Sequence, residues 1–237
     1  MDMELSALLT RAREAGLDER TIDLAEQGDA TAQCDLAYCY QGSPFTLNSG
    51  GEWRQIRKKD PVEAVAWYRL AAEQGLAEAQ CELGRCYQDG RGVEKDPVQA
   101  VAWYRKAAEE GLAGAHRSRW RRGHRDDEYR ADAEYELGRC YQDGRGVEKD
   151  PVQAVAWYRK AADHHSVNAN YELGVMYANG RGVRKNDAVA VRWYRKAEWY
   201  GHAKAKHNLK VMYADGRAVP EDEDGDGWKH DDATIDF

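Results

Sequence analysis

Between Leu76 and Gly111 the apolar positions fall on two stripes of helical period. Ala79, Leu83, Cys86 and Tyr87 recur at steps of three and four residues, which is one face of an amphipathic helix. Gly90 and Gly92 follow and predict the stop, since a residue at ease with positive φ commonly closes a helix. Asp96 then offers a side-chain acceptor to the free N–H groups of a second helix, and Pro97 at its first position has no N–H to leave unsatisfied. This second helix is expected to bury Val98, Val101, Trp103 or Tyr104, Ala107 and Ala108, and to end at Gly111. The pattern predicts a helix–turn–helix unit of 36 residues whose apolar faces must be covered by neighbouring units.

The unit is copied. Residues 82–108 (ELGRCYQDGRGVEKDPVQAVAWYRKAA) recur without a change at 136–162, so both stretches are expected to build the same local structure. A diverged copy runs from Tyr171 to Gly201 and a half copy from Ala205 to Val219. An interrupted copy opens at Ala32 and resumes at Lys59. The expected organisation is an N-terminal helical cap over 1–30 and an all-α solenoid of about four and a half repeats over 31–219. Insertions fall at 43–58 and 116–130, and an acidic tail occupies 220–237. In the cap, one helix is expected from Glu4 to Ala15, and a second ends in LAEQG as a repeat does. The tail, with eight acidic residues and one lysine, reads as disordered or loosely docked.

The residues A-x-x-x-L-G-x-x-Y-x-x-G-x-G-V, followed by D-x-x-x-A-x-x-W-Y-x-K-A-A-x-x-G, closely resemble the Sel-1-like repeat family, a relative of the tetratricopeptide repeats. Departures are Ala37 and Lys210 at the first-helix glycine, Ala218 at the second loop glycine and Asp187 at the proline. Lys210 is expected to loosen the contact between the two helices of the last, incomplete repeat. The resemblance implies a right-handed α/α superhelix whose first helices line a concave groove that holds a partner protein. It also says which positions look inward: Glu78, Cys81, Arg85, Gln88 and Asp89, then Asp132, Tyr135, Arg139, Gln142 and Asp143. Asn168, Tyr171, Val175, Ala178 and Asn179 follow, then Lys204, His207, Val211, Ala214 and Asp215, with Thr31, Cys34, Tyr38 and Gln41 in the first repeat. The partner-binding residues expected from this set are Tyr38, Glu78, Arg85, Asp89, Tyr135, Arg139, Asp143, Tyr171, Val175 and His207. The surface shifts from charged at Arg85 and Arg139 to apolar at Val175 and Val211, so a partner acidic at one end and apolar at the other would be complementary. Tyr135 and Tyr171 are the expected anchors. The resemblance further implies a role that bacterial members can play, neutralising a toxin as an immunity protein. Some members have been described as hydrolases.

Composition explains the aromatic skew, 14 Tyr and 8 Trp against 2 Phe, as the product of a copied W-Y pair. A net charge of −7 disfavours a general nucleic-acid binder. The insertion is the local exception. Arg117, Arg119, Arg121, Arg122 and Arg125 surround Trp120 and make a basic patch suited to RNA or an acidic partner, or else a solvated loop. No stretch approaches the roughly 18–20 apolar residues of a membrane span, and the acidic N-terminus does not read as a signal peptide. The five cysteines, four of them paired at a spacing of five residues, cannot bridge within a helix and are expected to be reduced in a cytoplasm.

No cofactor, metal site or catalytic constellation is expected. The GRGV loops close helices rather than opening them after a strand, so they read as turns and not phosphate cradles. Asp222, Asp224, Asp226 and Gly227 match the opening of a calcium loop, but Ala233 stands where its closing glutamate is needed. The W-Y pairs lie between alanines at helical spacing and read as packing rather than a base-stacking platform. The sequence thus points to a non-catalytic scaffold for another protein, with an RNA-associated factor acting through the arginines as the alternative. It carries no signal of oligomeric state.

Overall fold

The computed structural model describes residues 3–42, 46–47, 53–54, 59–114 and 123–217. They form α1 (Met3–Glu14), α2 (Glu19–Glu26), α3 (Ala30–Gln41), α4 (Pro61–Glu73), α5 (Ala77–Asp89), α6 (Pro97–Gly114), α7 (Gly123–Asp143), α8 (Pro151–Asp163), α9 (Val167–Asn179), α10 (Asp187–Trp199) and α11 (Ala203–Ala214). The strands β1 (Thr46–Leu47) and β2 (Trp53–Arg54) pair antiparallel inside the first insertion, Thr46 opposite Arg54 and Leu47 opposite Trp53. The all-α repeat fold expected from the periodicity is the fold found. It forms two compact units, Met1–Ala133 and Glu134–Phe237, and each is described by itself.

Local chemistry sets the helix ends as the sequence requires. Asp60, Asp96 and Asp150 each accept from two backbone N–H groups at the start of a second helix, at 2.9–3.2 Å. Gly90 adopts φ 73° and caps α5, its N–H donating to the carbonyl of Cys86. Gly92, also at φ 73°, lies so close to the preceding repeat that a Cβ there would meet the Pro61 carbonyl oxygen at 1.9 Å. The second loop glycine is therefore demanded by the stacking of one repeat on the next.

The core of the first unit gathers Leu8, Leu9, Ile22, Leu36, Trp67, Tyr68 and Leu83, and that of the second gathers Tyr158, Leu173, Met176, Trp193, Tyr194 and Leu209. Within each unit, the arginine of a W-Y-R run donates to the tyrosine hydroxyl of the following first helix at Arg69, Arg159 and Arg195. Arg69 reaches Tyr87 at 3.1 Å, Arg195 reaches Tyr213 at 3.1 Å, and Arg159 bonds Tyr177 in the same way.

Two expectations are corrected, at Val98 and at Gly111, and the alternative between Trp103 and Tyr104 is decided. Val98 is 63% exposed rather than buried, because the first turn of α6 points its valine to solvent. Of Trp103 and Tyr104, the tyrosine is the core residue: it seats on Gly84, while Trp103 is only partly buried and Nζ of Lys106 lies 4.3 Å from its ring centroid. Trp157 carries Lys160 likewise, at 4.0 Å. Gly111 does not end α6, which runs on to Gly114. Residues 123–130 of the second insertion are helical, forming the opening turns of α7. Lys210 is exposed. The acidic tail and its calcium-like motif lie outside the described residues.

Candidate functional site

The first helices of the repeats, α3, α5, α7, α9 and α11, carry the residues that the resemblance leads one to expect on a binding face. In the first unit these residues are brought together, but they are bonded to one another. Arg85 on α5 bonds Glu82 at 2.5 Å and Asp132 on α7 at 2.7 Å. Tyr129, also on α7, donates its hydroxyl to Glu78 at 2.7 Å, and its oxygen lies 3.2 Å from that of Tyr38 on α3. Glu78 is only 8% exposed, and burial next to Glu78 and Glu82 holds the Tyr38 hydroxyl far above the ordinary tyrosine range. Cys81 is buried outright, and Asp89 is exposed and pairs with Arg91 at 3.2 Å. The helical part of the second insertion thus uses Tyr129 to close this face between α3 and α5.

The second unit differs. Arg139 on α7 pairs with Glu136 at 3.1 Å and lies over the Tyr135 ring at 5.9 Å, and Asp143 pairs with Arg145. On α9, Tyr171 stacks on His202 at 4.4 Å, and Val175 is half-buried. On α11, His207 is exposed and Val211 is 42% exposed. Glu172, next to Tyr171 on α9, is half-buried and has no hydrogen bond or ion pair among the described residues. Burial raises its carboxyl above the usual range, against the pull of Arg139, Lys204 and Arg181 and with the help of Asp143.

Sequence reasoning passed over Glu172, yet its signal was present. The three copies of the motif read ELGR, ELGR and ELGV, so Glu82 and Glu136 each have an arginine three residues on, whereas Glu172 has Val175. Tyr129 was missed for a different reason: it lies in the insertion, outside the repeat register. Of the arginine patch, Arg117, Arg119, Trp120, Arg121 and Arg122 lie outside the described residues, and Arg125 is on α7 with its side chain outside them.

All five cysteines are free and buried, and burial pushes the thiols of Cys86 and Cys140 up to about 11, which leaves them poor nucleophiles at neutral pH. Among the described residues no three His, Cys, Asp or Glu side chains gather as metal ligands, and no helix is long and apolar enough to cross a membrane.

The Sel1 repeat family model matches residues 30–45, 50–76, 77–112, 131–166 and 167–198, more than half of the chain. The chain belongs to the Sel1 repeat family. Among solved structures, a Sel1 repeat protein from Oxalobacter formigenes is 30% identical over 91% of this chain and 78% of its own, with a TM-score of 0.67. The protective antigen c5321 of uropathogenic Escherichia coli, which has an SLR fold, is 32% identical over 84% of this chain and 44% of its own, with a TM-score of 0.41. The immunity protein Pa5087 of Pseudomonas aeruginosa is 23% identical over 74% of this chain and 67% of its own, with a TM-score of 0.35; that likeness concerns the fold alone. No curated protein matches the chain. A Sel1 repeat scaffold is of the kind that works through protein–protein contact.

Proposed function

We propose that this Sel1 repeat protein is a non-catalytic scaffold that holds a partner protein on the first-helix face of its second unit. One contrast carries the reading. The equivalent face of the first unit spends Tyr38, Glu78 and Arg85 on bonds within the chain, whereas the second unit leaves Glu172 unbonded beside Val175 and presents His207 and Val211 to solvent. Exposed apolar and unpaired polar groups on one face are what a partner can desolvate and satisfy. Five buried free thiols suit a reducing compartment such as the cytoplasm.

The test is site-directed photo-crosslinking in the native host, with the photoreactive residue at His207, at Val211 or at Asp89, followed by mass spectrometry. The same protein should be captured from the two second-unit positions and not from Asp89. Capture from Asp89 alone would refute the assignment. A narrower form of the reading makes the partner a toxin that the scaffold neutralises; co-expression should then restore growth to cells making the captured partner. The RNA reading rests on the arginine insertion and predicts nucleic acid in the purified protein, visible in its absorbance ratio.

A further inference from the structure

Glu82 and Glu136 each hold an arginine of their own helix, Arg85 at 2.5 Å and Arg139 at 3.1 Å. Glu172 occupies the same register position of α9, and there the arginine's place is taken by Val175. The carboxylate is half-buried all the same and bonds nothing among the described residues. The neighbouring cations do not fill the gap: Arg139 is engaged by Glu136 and lies over Tyr135, and Lys204 and Arg181 are exposed and unbonded to it. The two sister repeats therefore act as a template. They show that this position of the fold accepts a guanidinium against the glutamate, and in the third the glutamate remains without the guanidinium.

We propose that Glu172 and Val175 form the docking point for an arginine side chain of the protein partner. This rests on the reading of the second-unit face as the binding face. The guanidinium can make a bidentate, charge-assisted pair with the Glu172 carboxylate, and the aliphatic stem of the same side chain can lie along Val175. Val211 on α11 offers a further apolar contact to a neighbouring residue of the partner. The partner's recognition segment is thus basic and apolar, the reverse of the acidic segment that Arg85 and Arg139 suggest when read from the sequence alone. Those two arginines already have carboxylate partners within the chain.

The probe is N-acetyl-arginine amide, titrated at millimolar concentration into the intact protein, with its isosteric neutral counterpart N-acetyl-citrulline amide as control. NMR reads the Glu172 carboxyl carbon and the backbone amides of residues 171–176. Arginine amide should give a saturable shift at these positions and citrulline amide should not. Glu172→Gln should abolish the shift. Val175→Arg rebuilds the pair of the sister repeats and should abolish it as well, while leaving the melting temperature unchanged or higher. Val175→Ala, a smaller change, should weaken binding without removing it. An equal response to citrulline, or an arginine response that survives both Glu172→Gln and Val175→Arg, overturns the proposal. If the crosslinked partner maps to this face but arginine amide does not shift residues 171–176, only the arginine docking point falls. If arginine amide binds as stated but the partner maps elsewhere, the functional reading falls instead.

Discussion

The ring of Tyr104 occupies the space that a Cβ on Gly84 would need: an ideal Cβ there comes within 2.6 Å of the Tyr104 Cε1. The same relation joins Gly138 to Tyr158 and Gly174 to Tyr194, each at 2.5 Å. Tyr104 and Tyr158 are fully buried and cannot swing away. Gly84→Ala should therefore destabilise the protein despite the better helix propensity of alanine. Overpacking of this kind costs about 1–3 kcal/mol against a propensity gain of about 1. Urea denaturation should show the lower midpoint, and an added Gly84→Ala/Tyr104→Leu double variant should recover part of the loss.

The tryptophans divide into two classes. Trp67 has no exposed surface, so Trp67→Ala should cost about 3–5 kcal/mol in denaturant unfolding. Trp103 is half-buried under Lys106, and Trp103→Ala should cost no more than about 2 kcal/mol, from lost area and a cation–π contact. Equal losses would mean that the two sites share one environment.

His165 holds φ 64°, at the place after a second helix where Gly28, Gly75 and Gly201 stand at φ 85–89°. A side chain in the left-handed region is strained, and glycine relieves that strain while adding freedom to the unfolded chain. His165→Gly should raise stability by up to about 1 kcal/mol, or about 2–4 °C in melting temperature. Calorimetry at neutral pH reads the change.

His202 caps α11 by accepting the Ala205 N–H on Nδ1 at 3.2 Å, which requires a neutral ring. Burial, reinforced by Lys204, lowers its pKa below the ordinary histidine value. The unfolded chain then takes up the proton more readily than the folded one. The contribution of the cap is full above about pH 6.5 and is lost as the pH falls through the depressed value. His202→Ser keeps a cap of the kind Ser166 gives α9 and should flatten this part of the stability profile between neutral and mildly acidic pH. An unchanged profile would show that the imidazole does not carry the effect.

The copied segment made both helices, their caps and the glycine turns legible, because every repeat faces the same packing problem. The choice between Trp103 and Tyr104 was not legible. Adjacent residues on a helix lie about 100° apart, and the apolar stripe is wide enough to admit either. The hole above Gly84 decides it, and only the folded pair shows that hole. Arg85 read as a free groove residue because Asp132 lies on the next helix, where spacing cannot assign it, although the pairing with Glu82 three residues earlier was legible. The Glu172 vacancy could be found by aligning the copies. Tyr129 could not, since no register relates the insertion to anything else in the chain.

The bonds from Arg69 to Tyr87, Arg159 to Tyr177 and Arg195 to Tyr213 all run the same way, from the earlier helix as donor to the later as acceptor. Such wiring makes the array vectorial. At its start, Ile22 of α2 stands where the register would place the arginine, six residues before Gly28 as Arg69 is before Gly75. The hydroxyl of Tyr40, the counterpart of Tyr87, is accordingly buried without a hydrogen-bond partner, and burial raises its pKa to about 12. In an array wired in this direction the unmatched hydroxyl belongs to the opening tyrosine however many copies follow. Each duplication of a helix pair brings its own arginine donor and tyrosine acceptor, so the chain can lengthen without adding a second unmatched hydroxyl of this kind.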